Sequence, residues 1–200
     1  MDWAQPAAMF VLIMSYIWVV RYSHPWFWLA ILGAMVLSHV VRRETPASLG
    51  FRAAGFRQCA RQLAPWVALL GVLFIAAGML CGTTRRITFS DGLASWAIYL
   101  PWGMAQQYAL NGYFLNRLQR ASSPRAAAVL ATVLFSAAHL PNWFLMVVTL
   151  AGGACCTHLY QRWRNLYALG LAHGTLGFLL YLVVPDSISH HLRVGWGWFG

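Results

Sequence analysis

Long apolar runs without an internal charge recur along the whole chain, at about 6–20, 25–41, 63–81, 93–115, 126–140, 143–160 and 166–184. A helix needs roughly 20 apolar residues to cross the hydrocarbon of a bilayer, and several of these runs reach or approach that length. Open sheets cannot satisfy their edges in lipid, so helices are the spanning element open to such runs. The chain is 60% hydrophobic and only 9% charged, a make-up that would aggregate as a water-soluble domain. The expectation is an all-α integral membrane protein, a bundle of about seven transmembrane helices, with six to eight as the range. The first and fifth runs are short enough for tilt, local thinning or a half-span.

The formal charge of +10 does not form a basic face for nucleic acid, because the arginines fall in the loops between runs. Arg42, Arg43, Arg52, Arg57 and Arg61 follow the second run, Arg117, Arg120 and Arg125 the fourth, Arg162 and Arg164 the sixth. The opposite side receives Arg21, Arg85, Arg86 and Arg193. The positive-inside rule then puts the N-terminus in the cytoplasm. The start, Met1-Asp2-Trp3, carries an acid and no base before its apolar run, unlike a cleavable signal peptide, so that run is read as a span. Three parts are expected: an N-terminal transmembrane hairpin (1–44), a helical core (45–184) and an aromatic interfacial tail (185–200). The stretch 42–62 mixes arginine with Leu49, Phe51 and Phe56, which suits a short amphipathic segment on an anionic leaflet.

Polar groups at bilayer depth are costly and are candidates for function. Gln106, Gln107 and Asn111 lie in the fourth run, His139 and Asn142 end the fifth, His158 closes the sixth and His173 sits within the seventh. Gln107 and Asn111 are four apart and share a helix face, while Gln106 points about 100° away. Interhelical hydrogen bonding explains such amides by itself; convergence of two histidines and an amide cluster on one wet cavity is the functional alternative. The four acids, Asp2, Glu44, Asp91 and Asp186, all lie at a terminus or in a loop. Glutamine can orient a water but cannot take its proton, so a hydrolase built here needs His139 or His173 as its base. A zinc site from His139, His158 and His173 is the formal metal alternative, but no metal and no cofactor is called for. Cys59, Cys81, Cys155 and Cys156 lack the spacing of a zinc site or a disulfide scaffold and are read as idle thiols.

At these residues the sequence resembles the CPBP family, also called Abi, of CAAX-processing and bacteriocin-processing intramembrane proteases, over roughly residues 45–180. The family's Phe-x-x-x-His motif is matched by Phe135-Ser-Ala-Ala-His139, followed by Leu140-Pro141-Asn142. Its third motif is matched at His173, with Gly177 where an amide is expected, and the loop from Thr45 to Arg52 is similar to the one before the family's core. Its Glu-Glu-x-x-x-Arg motif becomes Gln106-Gln107-Tyr-Ala-Leu-Asn111, a neutral version of a charged site.

The resemblance implies Gln106, Gln107, His139 and His173 as catalytic positions, with Asn111, Phe135 and Asn142 as substrate or network residues. It implies an intramembrane endopeptidase acting on membrane-attached protein C-termini, whose partners are a membrane-protein or lipidated-peptide substrate and the bacterial inner membrane. The alternative is a catalytically inactive pseudo-protease that binds or protects such a segment. A small-solute transporter has less support, since no inverted repeat or broken helix pair is visible. Depth matters for all of these. His139 is near one end of its run and Gln106 looks central, so a helix break at Pro101 is expected to bring Gln106 toward that end.

Overall fold

The structure is a computed structural model that describes residues 3–200; the reading placed on Met1 and Asp2 lies outside them. Seven main helices follow the apolar runs: α1 (Ala4–Trp18), α2 (Trp28–Val41), α3 (Phe56–Leu80), α4 (Phe89–Gln107), α5 (Pro124–Ala137), α6 (Trp143–Trp163) and α7 (Leu166–Val183). A short α8 (Asp186–Ser189) begins the tail. No strand occurs among the described residues. By length and composition α3, α6 and α7 suffice to cross a membrane, whereas α1, α2 and α5 are apolar but shorter. The exterior of α3 is apolar and exposed, with Trp66, Val72 and Leu80 facing outward, as expected where lipid replaces water.

Helix starts are set by side chains that accept otherwise orphaned amide protons. Thr88 Oγ1 accepts from Asp91 N (3.1 Å), Ser123 Oγ from Ala126 N (3.3 Å), Asn142 Oδ1 from Leu145 N (3.0 Å) and Asn165 Oδ1 from Ala168 N (3.0 Å). The C-terminal carbonyls of α7 are closed by the loop after α3. Arg85 Nε donates to Tyr181 O (2.7 Å), Arg85 N to Leu182 O (2.8 Å) and Thr83 Oγ1 to Val183 O (2.8 Å). Arg85 also pairs with Asp186, and this contact holds the Asp186 carboxyl below its ordinary range.

Helix α7 packs against both α3 and α4, and α5 and α6 form a hairpin beside them. Where a break was expected at Pro101, α4 runs through the proline without interruption. The irregularity comes later: residues Tyr108–Leu115 form a π-helix, followed by a last α turn, Asn116–Leu118. Seven of its eight residues are buried, and it touches α5, α6 and α7. π segments are rare and tend to mark functional places.

Two expectations about the arginines change. Arg57 and Arg61 belong to the first turns of α3, so the stretch 42–62 divides into a loop of turns up to Gly55 and the start of α3 from Phe56. Arg117, read as a loop residue, is fully buried (0% exposed). The loop after α2 explains this, because it supplies a counter-ion: Arg117 Nη1 donates to Glu44 Oε1 at 2.7 Å and Nη2 to Ser38 Oγ at 3.1 Å. Arg120 and His39 complete the shell around Glu44.

The same loop is stitched to the α6–α7 turn. Tyr160 Oη donates to Leu49 O (2.8 Å), Leu166 N to Gly50 O (2.9 Å) and Asn165 Nδ2 to Arg52 O (2.6 Å). Gly50 has φ +97°, and a Cβ there would meet Tyr160 Cε2 at 2.8 Å, so a side chain at this position is excluded twice over.

Candidate functional site

The site is made by a close crossing of α4 and α7. A Cβ on Gly103 would lie 2.5 Å from Gly174 N and 2.8 Å from Gly170 O, and one on Gly174 would lie 2.6 Å from Tyr99 O. Only backbone fits there, which is the logic of small-xxx-small contacts between membrane helices. The signal, Gly170-x-x-x-Gly174, stands in the sequence beside His173 and could have predicted this crossing. One helical turn beyond it, Gln107 Nε2 meets His173 Nδ1 at 2.9 Å.

Gln107 is completely buried. Its Oε1 accepts from Asn111 Nδ2 at 2.7 Å, the pairing expected of residues four apart. With its oxygen taken, the Gln107 amide approaches His173 as a donor, so Nδ1 of His173 accepts and its proton sits on Nε2. Cys156, on α6, lies against the same amide.

His139 lies in the turn after α5. Its Nδ1 is 2.8 Å from Phe135 O; a carbonyl only accepts, so Nδ1 carries the proton and Nε2 presents a lone pair. The Phe135 ring packs edge-on against both imidazoles, 5.1 Å from His139 and 6.0 Å from His173. Neither Nε2 has a partner among the described residues, and neither belongs to the polar atoms sealed away without one. The two rings therefore present complementary edges: a lone pair on His139, an N–H on His173.

The remaining expected residues fall into place differently. Gln106, one of the implied catalytic positions, makes no hydrogen bond to either imidazole, and its Oε1 is buried without a partner among the described residues. Gln107 holds the position beside His173 instead. The physical reason is the 100° step between neighbours on a helix: the face that crosses α7 at Gly103 is continued by Gln107. Asn142 is fully buried and faces the chain's own backbone. Besides capping α6, it donates to Ser189 O (2.8 Å) and Arg193 O (3.0 Å), tying the tail to the turn that carries His139. Gly177 faces Tyr99, whose ring would lie 3.3 Å from an added Cβ, so an aromatic ring fills the space one turn along from His173.

His158 is exposed on α6. Among the described residues no group of three or more His, Cys, Asp or Glu could hold a metal ion.

Chemically, the site joins one hydrogen-bond acceptor and one donor across an aromatic ring, at a place with no acid. Glu44 accepts instead from Arg117, Arg120 and His39, and no carboxylate is hydrogen-bonded to either imidazole among the described residues.

Residues 93–179 match the family described as Rce1-like, the type II CAAX prenyl endopeptidase Rce1-like family. The matched stretch runs from α4 to α7 and contains Gln107, Asn111, Phe135, His139 and His173; it begins later than the resemblance read from the sequence, which included the loop from Thr45. No curated protein and no solved structure matches the chain.

Proposed function

We propose, from the premise that residues 93–179 are an Rce1-like domain of the CPBP family in a membrane protein, that the chain is an intramembrane endopeptidase acting near the C-terminus of a membrane-attached protein. The observation that carries this reading is the pairing of opposite tautomers at His139 and His173. His139 Nε2 accepts a proton from water, and the resulting hydroxide attacks the scissile carbonyl. The oxyanion is met by the Nε2–H of His173, held in that tautomer by Gln107. The proton on His139 then passes to the leaving amine. Gln107 and Asn111 position His173, and Phe135 packs edge-on against both rings. The bilayer is the bacterial inner membrane, with the arginine-rich loops in the cytoplasm.

A second reading is favoured by a specific observation: amides stand where the family motif has Glu-Glu-x-x-x-Arg, leaving the site without a carboxylate. A scaffold so altered would bind and protect a lipidated or transmembrane segment without cutting it.

Cleavage of prenylated and unmodified C-terminal peptides by the reconstituted protein separates the two. The endopeptidase reading expects turnover that falls about 100-fold or more in His139→Ala, and by about as much in His173→Ala. Cutting confined to a Gln106→Glu, Gln107→Glu, Asn111→Arg variant would make the native chain a pseudo-protease.

A further inference from the structure

Past the π-helix that extends α4, around Asn116–Arg120, lies a second concavity, outside the site described above. Its volume is about 380 Å³, and Arg43, Arg120 and Arg164 stand in its wall with Ser48 and Gln119. A neighbouring hollow of about 260 Å³ shares Gln119 and Arg164 with this groove. Each segment that builds it, the loop after α2, the end of the α4 extension and the α6–α7 turn, belongs to the arginine-rich side of the chain.

The charge is unbalanced. Among the described residues Glu44 is the only acid in the wall, and its carboxylate is occupied by Arg117 beneath and Arg120 beside it. Four guanidinium groups against one carboxylate leave three positive charges in excess. Arg164 is fixed in place by donating from Nε to Ser48 O (2.9 Å) and from Nη2 to Asn116 Oδ1 (2.7 Å), which pre-orients the fork and leaves Nη1 without an acceptor among the described residues. Arg43 meets no acidic partner among the described residues. Guanidinium-bearing residues lining one hollow match the oxygens of a phosphate better than an apolar ligand.

We propose that this groove is a binding site for a phosphate monoester or diester, either the headgroup of an anionic phospholipid in the adjoining leaflet or a soluble phosphate ester. Such a site would hold the α2 loop, the α4 end and the α6–α7 turn together at the membrane surface, because Arg164 links all three.

Purified protein in neutral detergent is titrated with phosphatidylglycerol, phosphatidylcholine, glycerol phosphate and inorganic phosphate, and bound species are counted by native mass spectrometry. The expected result is saturable binding of phosphatidylglycerol over phosphatidylcholine, weakened about tenfold in Arg43→Gln/Arg120→Gln. Gln119→Trp, which fills the groove and leaves every charge in place, should weaken it as well. Displacement by glycerol phosphate or inorganic phosphate would assign the site to soluble esters, and retention of the lipid in their presence would assign it to the headgroup. Thermal unfolding in phosphatidylcholine alone checks that each variant is folded. Folded variants that bind phosphatidylglycerol and both phosphates as the native chain does, or a native chain that binds none of them above phosphatidylcholine, would overturn the proposal.

Discussion

Two buried polar networks sit on the same long helix, one at Gln107 and one ten residues further at Arg117, and they are built from opposite materials. At Gln107 the partners are neutral: an amide, a second amide and an imidazole. At Arg117 they are charged: Glu44 bonded to Arg117, Arg120 and His39. The difference follows position along the bundle. An uncompensated ion well inside the hydrocarbon is expensive, and amides satisfy one another without charge. Near the end of the bundle, where a loop can descend to supply Glu44, a full ion pair becomes affordable and its three donors satisfy the carboxylate.

The comparison breaks most visibly at Glu44. Glu44→Gln leaves Arg117 buried without a counter-ion and should cost about 3–5 kcal/mol, read as a fall in the unfolding midpoint in detergent. Adding Arg117→Met should recover much of it. A Glu44→Gln protein as stable as the native one would show that the two networks do not differ in kind.

Acid sharpens the contrast. Burial raises the Glu44 carboxyl, but hydrogen bonds from Arg117 and His39 and the charges of Arg117 and Arg120 outweigh it, holding the group at about 2 against an ordinary 4.5. Because the folded value is the lower one, the stabilisation is fully present above pH 4.5 and is lost as pH falls through 2. Melting midpoints across that window should slope in the native chain and flatten in Glu44→Gln.

The smallest effect is expected at the neutral network. Gln107→Leu leaves the Asn111 amide and His173 Nδ1 without their partner and should cost roughly 1–3 kcal/mol. Under the endopeptidase reading turnover falls further than stability alone explains, since His173 loses the group that fixes its tautomer. Equal activity in the folded variant would remove Gln107 from its positioning role.

Much of this was written in the sequence. The seven runs became seven helices, with Thr88, Ser123, Asn142 and Asn165 as caps, and His139, His173 and the Gln107–Asn111 pair were readable as intramembrane polar residues. What local pattern could not reveal was which groups meet. Gln106 or Gln107 was undecidable until α4 crossed α7 at Gly103 and Gly174 and chose the face. Pro101 carried a strong local signal for a break, yet the helix continues through it and loosens instead at Tyr108–Leu115, where three helices press on it.

The sequence by itself determined the helical membrane architecture, since hydrophobic length and capping act within a few residues. Tertiary structure alone decided that Arg117 is buried, that Asn142 holds the tail, and that two histidines 34 positions apart present opposite edges across Phe135. The physical reason is that a polar atom's partner in a membrane is whatever the packed helices bring within hydrogen-bond reach, and no periodicity along one helix specifies the face of another.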